Sequence, residues 1–279
     1  MTISVHTNKS ALTALQNLNS TNDQLSDVQN RVNTGLKIAN AKDNAAVWAI
    51  AQGQRADIGA LDAVKSSLQR AQSISQVSAT AGATVSDLLV QLKQKVVAAM
   101  DTSLDTNSRT ALDSDFKALL RQITQVTGNA AFDGANLLDG TAGPNIQFLA
   151  NADATNRITL TTQNMSLGGS IITVASTASI TSVPLATGIL NQLNSSISNV
   201  NQALGNLGSQ EKQVEGHIDF ISKLSDTLTN GVGNLVDADL AKESARLQAL
   251  QVQQQLGAQA LSIANQAPQI ILQLFRGGG

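Results

Sequence analysis

Apolar residues recur at alternating three- and four-residue steps along most of this chain. The longest run reads Leu190, Leu193, Ile197, Val200, Leu204, Leu207, Glu211, Val214, Ile218, Ile221, Ser225, Leu228, Val232, Leu235, with only Glu211 and Ser225 polar. Such spacing keeps one stripe of an α-helix facing a partner and is the mark of a coiled-coil seam. A helix from about Leu185 to Asn230 is expected, with Gly231 and Gly233 as places where it ends or bends. A second seam reads Leu61, Val64, Leu68, Ala71, Ser75, Ser78, Gly82, Val85, Leu89, Leu92, Val96, Ala99. Its small, polar middle lets a neighbouring helix come close but contributes little burial. A third runs Leu112, Phe116, Leu119, Ile123, Val126 and closes at Gly128-Asn129, a C-cap sequence. The N-terminal segment repeats the theme with Ala11, Ala14, Leu18, Leu25, Val28 and Val32. Asp43 is placed to N-cap the helix that follows it, and the acids of VDADLAKES suit the start of a last helix.

The helical pattern breaks between about Phe132 and Pro184. FDGANLLDG carries two Asp-Gly pairs and is turn chemistry. NIQFLA and RITLTTQ alternate apolar and polar residues around NADATN, which predicts a β-hairpin. LGGSIITVASTASITS is rich in Gly, Ser and Thr and reads as extended or loosely ordered. The fold class expected is therefore mainly α: a long coiled-coil helical rod formed by the N- and C-terminal arms, with a small β-hairpin insertion.

Composition adds a reason for the chain to associate. Charged residues are 14%, against roughly 25% in ordinary globular proteins. Residues 1–22 hold one charge, Lys9, and residues 247–279 hold one, Arg276. Two charge-poor amphipathic ends suggest one shared environment. Paired antiparallel, they would cover one stripe each. Leu12 and Leu15 at one end, with Ile270, Leu272, Leu274 and Phe275 at the other, lie partly off the main seam. Surplus apolar surface on a paired helix predicts association.

Little chemistry competes with that reading. The chain has no Cys, which removes disulfides, thiol nucleophiles and thiolate metal sites together. His6 and His217 fall on different predicted helices with no carboxylate at ligand spacing, so each reads as solvated or incidental. Asp113/Asp115 and Asp237/Asp239 read as helix-start acids rather than catalytic dyads. DTSLDTNSRTALD lacks the Gly and the acid a calcium loop needs, and GVGNLV has no preceding strand or third Gly. No catalytic residue, cofactor or metal is assigned. A net charge of −2 gives no electrostatic footprint for nucleic acid. No run approaches the ~20 apolar residues of a membrane span, and the N-terminus lacks the pattern of a secretory signal peptide. A membrane-surface helix would want Lys and Arg on its polar face, where this tail has Gln. A coiled-coil adaptor would explain the seams but not the ends. A structural protein that polymerises explains both.

NTGLKIANAKDNAAVWAIA, Asn33 to Ala51, resembles the bacterial flagellin N-terminal signature, and ANQAPQIILQLFR, Ala264 to Arg276, resembles the matching C-terminal one. The resemblance covers roughly residues 1–140 and 185–276, and Trp48 within its motif is similar to α-proteobacterial flagellins. It implies a filament subunit for motility, with the hook–filament junction protein of the same family as the alternative. Residues 1–43 and 236–279 would form the inner coiled-coil assembly domain, 44–140 and 185–235 a helical rod domain, and 141–184 a β-hairpin and short variable loop region. Seams and resemblance together place the assembly interface at Leu12, Leu15, Leu18, Leu25, Val32, Leu36, Leu247, Leu250, Leu256, Ile263, Ile270, Leu274 and Phe275. The partners implied are other flagellin subunits, the flagellar cap and junction proteins, and the export apparatus with an export chaperone; neither nucleic acid nor membrane is among them. Secretion would run through the flagellar export channel to an extracellular filament. The resemblance also implies a tail that is disordered until assembly. Val47 stands where many flagellins have Gly. Gln91 and Gln94 stand where others carry Arg and Glu in the stretch read by the flagellin-sensing Toll-like receptor, so weak recognition is expected.

Overall fold

The computed structural model describes residues 8–276, with side chains described as far as residue 266. Five helices carry the chain: α1 (Lys9–Thr34), α2 (Ala45–Ala99), α3 (Thr106–Asn129), α4 (Val183–Val236) and α5 (Leu240–Arg276). Between α3 and α4 lie two separate antiparallel pairs, β1 (Ala131–Phe132) with β2 (Ala135–Asn136), and β3 (Asn145–Leu149) with β4 (Arg157–Thr161). The chain divides into two compact units. The first comprises Met1–Ala56 and Leu228–Gly279, the second Asp57–Thr227.

The second unit holds the main core. Every position of the α2 seam from Leu61 to Ala99 is buried, including Ser75, Ser78 and Gly82. A Cβ on Gly82 would stand 2.8 Å from Leu204 Cδ2 and 3.4 Å from Met165 Cε, so the small middle of that seam is what admits α4 and the segment carrying Met165. Along α4, Leu193, Val200, Leu207, Val214 and Ile221 are buried and alternate with half-buried Leu190, Ile197, Leu204 and Ile218, as knobs-into-holes packing requires. Gly231 and Gly233 do not end this helix, which continues to Val236.

Local polar chemistry sets the element ends. Asp105 N-caps α3 by accepting from the Ser108 amide at 2.8 Å. That helix ends at Asn129, within the Gly128-Asn129 pair expected to close it, with Ala130 as its C-cap. The buried Asn136 supports that end: its Nδ2 donates to the Thr127 carbonyl at 2.8 Å while its Oδ1 accepts from the Leu138 amide at 2.7 Å. Asp133 and Gly134, at φ 51° and 76°, form the two-residue turn of the β1–β2 hairpin. The β3–β4 pair runs in register from Asn145↔Thr161 to Leu149↔Arg157 and buries Phe148, Ile158 and Leu160. Of the two expectations for the segment after it, extended or loosely ordered, the loose one does not hold. The segment lacks regular structure, yet Ile172, Val174 and Ile180 are fully buried, because α3 and α4 side chains supply its backbone partners.

In the first unit, Asn8 N-caps α1 and Gly35, at φ 70°, closes it. The chain is then tied to the end of α4: Lys37 and Ile38 amides donate to the Val236 carbonyl, and Ala238 donates to Gly35. The N-cap of α2 is Asn44 rather than Asp43. Asn44 Oδ1 accepts from the Val47 amide at 3.1 Å, while Asp43 turns back to accept from Ala39 and Asn40. Asp239 caps α5 through the Ala241 and Lys242 amides, a helix-start acid as expected. The tail, expected to be disordered alone, is a continuous helix to Arg276 in this structure, paired along α1.

Candidate assembly surface

The pairing of α1 with α5 sorts the interface residues expected from sequence. Leu25, Val28 and Leu250 form a small buried cluster, with Val32 and Leu247 packed against it. These positions are consumed within the chain. Leu18 is half-buried and lies over Gly257, where a Cβ would come within 3.3 Å of Leu18 Cδ1. Leu36 forms an isolated antiparallel bridge with Asp237. Leu12, Leu15, Leu256 and Ile263 are left outward, 55%, 43%, 58% and 69% exposed. Ile270, Leu274 and Phe275 lie outside the residues whose side chains are described. Val252, 56% exposed and one turn before Leu256, belongs to the same outward stripe and was missed; its spacing from Leu256 is the signal that would have found it.

Polar groups on this hairpin are mostly uncharged. Asn8 Nδ2 donates to the Ala264 carbonyl at 2.6 Å, and Gln254 Nε2 to Asn22 Oδ1 at 2.8 Å. One ion pair joins α1 and α5 among the described residues, Arg31 Nη1 to Glu243 Oε1 at 3.5 Å. A groove of about 950 Å³ follows the two helices, floored by Ala14, Leu18, Gly257 and Ala260 and edged by Thr13, Asn17, Gln24 and Gln253. Its one charged lining residue is Lys9. Such a surface fits aliphatic and amide side chains and offers no reacting group.

Titratable groups in the second unit hold structure together. Asp113 is not a helix-start acid but sits inside α3, buried, where it accepts from Ser179 Oγ at 2.8 Å and the Ile180 amide at 2.7 Å and pairs with Lys117 at 2.7 Å. Burial pushes its pKa up, but Lys117, the Ile180 amide and Ser179 outweigh that and hold it below the ordinary 3.8. Asp115 pairs with Lys95 at 2.7 Å. His217 is not incidental: its Nε2 lies 2.7 Å from the Ala150 carbonyl, tying α4 to the end of β3. His6 lies outside the described residues. Among the described residues no His, Cys, Asp and Glu side chains gather as a metal site, and no helix is long and apolar enough to cross a membrane.

Long helices, two small strand pairs and paired termini that leave apolar side chains exposed define a mainly helical class of protein. Residues 5–143 match the bacterial flagellin N-terminal helical region and residues 190–275 the bacterial flagellin C-terminal helical region. Flagellin FljJ of Caulobacter vibrioides is 55% identical over all of both chains, and a flagellin of Brucella melitensis is 38% identical over 98% of this chain and 99% of its own. The crystal structure of Bacillus cereus flagellin superposes with a TM-score of 0.50 at 20% identity, over 56% of this chain and 88% of that one. A Vibrio parahaemolyticus protein described as flagellar hook-associated gives 0.58 at 13% identity, over 70% and 100%. At such identities the solved structures speak to the fold alone. The chain belongs to the bacterial flagellin family, and its function is that of a structural subunit of the extracellular flagellar filament. The hook–filament junction alternative is not favoured, since the full-length relatives are flagellins.

Proposed function

We propose that the outward stripe of the α1–α5 hairpin makes the subunit–subunit contacts of the filament, and that residues 1–43 and 236–279 act as its inner domain. The observation that carries this reading is the exposure of Leu12, Leu15, Leu256 and Ile263 on helices that are already paired. An apolar side chain that faces water on an ordered helix gains about 1.5–3 kcal/mol when a neighbour covers it. Gln and Asn beside them hydrogen-bond across an interface without the repulsion that like charges bring. Residues 44–140 and 185–235 then form the rod domain, carrying the hairpin region 141–184. The assembly route follows the family: export through the flagellar channel with a chaperone, and addition beneath a cap, with junction proteins at the filament base.

Seeded elongation tests the interface. Leu256→Gln with Ile263→Gln should slow elongation by more than about tenfold while the second unit unfolds at the wild-type denaturant concentration. Normal elongation of the double variant would sink the assignment. Gln91 and Gln94 are both exposed on α2, and Gln91→Arg with Gln94→Glu is expected to raise Toll-like receptor signalling; no gain would remove those residues as the reason for weak recognition.

A further inference from the structure

The hairpin of α1 and α5 is held at one register by a few contacts spaced along it. Asn8 meets Ala264 at 2.6 Å, Leu18 lies over Gly257, Asn22 meets Gln254 at 2.8 Å and Arg31 meets Glu243 at 3.5 Å. Each step along α1 is matched by a near-equal step back along α5.

Sliding α5 by one heptad would set Asn22 against Leu247 or Leu261 in place of Gln254. Two further features change on such a slide. Leu18 would face Leu250 or Ala264 instead of the one position with no side chain. Glycine weakens a helix interior, so its place in mid-α5 is explained by the side chain it admits. Glu243 would also lose Arg31. That carboxylate is only 12% exposed and its Oε2 is buried with no hydrogen-bond partner, so Arg31 is the group that answers its charge.

We propose that the Gly257 notch and the Arg31–Glu243 pair are a register lock for the termini, acting as positioning residues rather than contacts to a neighbouring subunit. The locked register sets Leu12 within about one helical turn of Ile263 along the hairpin, and so fixes the offset between the outward apolar side chains of the two helices. A slipped hairpin would present them at another offset. That such an offset slows elongation rests on the assembly reading above; the lock does not.

The absence of Cys makes the test direct. Asn22→Cys is combined with Gln254→Cys for the native register, or with Leu247→Cys or Leu261→Cys for a one-heptad offset, and treated with a short bismaleimide in monomer and filament. In an otherwise wild-type chain the native pair should crosslink. Gly257→Leu should move the yield to an offset pair and slow seeded elongation by about tenfold or more, and adding Leu18→Ala should return both. Arg31→Glu should shift the crosslink partially, and Arg31→Glu with Glu243→Arg should restore it. A native crosslink that persists in Gly257→Leu, or is not regained in the double variant, overturns the lock. An offset crosslink with elongation within about twofold of wild type would sustain the lock and sink its link to assembly.

Discussion

The two units use the same seam spacing with very different results. In the second, α2 faces α4 and a packed irregular segment, and its seam is buried without a gap from Leu61 to Ala99. The largest fully buried side chains among the described residues, from Leu68 through Phe116 to Ile180, all belong to that unit. In the first, α1 and α5 bury only Leu25, Val28 and Leu250 as a cluster between them. A helix with one partner can cover one stripe, and the remaining apolar residues stay wet. The first unit therefore keeps apolar side chains exposed, while the second buries its seam. The difference lies in the number of partners, since the residue types are alike.

That contrast can be broken in several ways, the largest by hydrogen exchange. In the monomer, amides of α5 should exchange about a hundredfold or more faster than those of α3, and should become protected on polymerisation. Equal protection of α3 and α5 in the monomer would remove the distinction. Truncating the core comes next. Phe116→Ala should lower the unfolding free energy in urea by about 3–5 kcal/mol, whereas Leu256→Ala should change it by less than about 0.5 kcal/mol.

Asp113 sharpens the comparison through pH. Its pKa is lowered on folding, so its stabilisation is fully present above the ordinary value of 3.8 and is lost as pH falls through the lower folded value. Asp113→Asn should cost about 1–3 kcal/mol near neutrality by leaving a poorer acceptor for Ser179, Ile180 and Lys117. It should also flatten the acid limb of the stability curve, and an unchanged limb would show that the contact carries no pH dependence. His217→Ala, which removes only the bond to Ala150, should cost about 1 kcal/mol, with the loss concentrated in exchange of the β3–β4 amides.

The helices and the long hairpin were legible in the sequence because they rest on local periodicity. Seam residues of α2 and the register of Asn145–Leu149 with Arg157–Thr161 follow directly from it. The outward positions Leu12 and Leu15 were legible for the same reason, lying off the stripe that α5 covers. What escaped notice depends on contacts distant in sequence. Asp113 reaching Ile180, His217 reaching Ala150 and Asn136 reaching Thr127 are single polar side chains with no pattern around them. The burial of Ile172 and Val174 was hidden because their Ser- and Thr-rich surroundings read as a loop, whereas α4 hydroxyl and amide groups satisfy that backbone. Asp43 and Asn44 are both capping residues, and only geometry decides between them.

If other subunits cover the exposed apolar side chains of the paired termini, those side chains lose solvent access on assembly. Ile263→Cys in this Cys-free chain places one thiol at the most exposed of those positions. Its reaction rate with a water-soluble maleimide should match that of a free peptide thiol in the monomer and fall strongly in filaments grown from the same protein. Equal rates in monomer and filament would contradict the account.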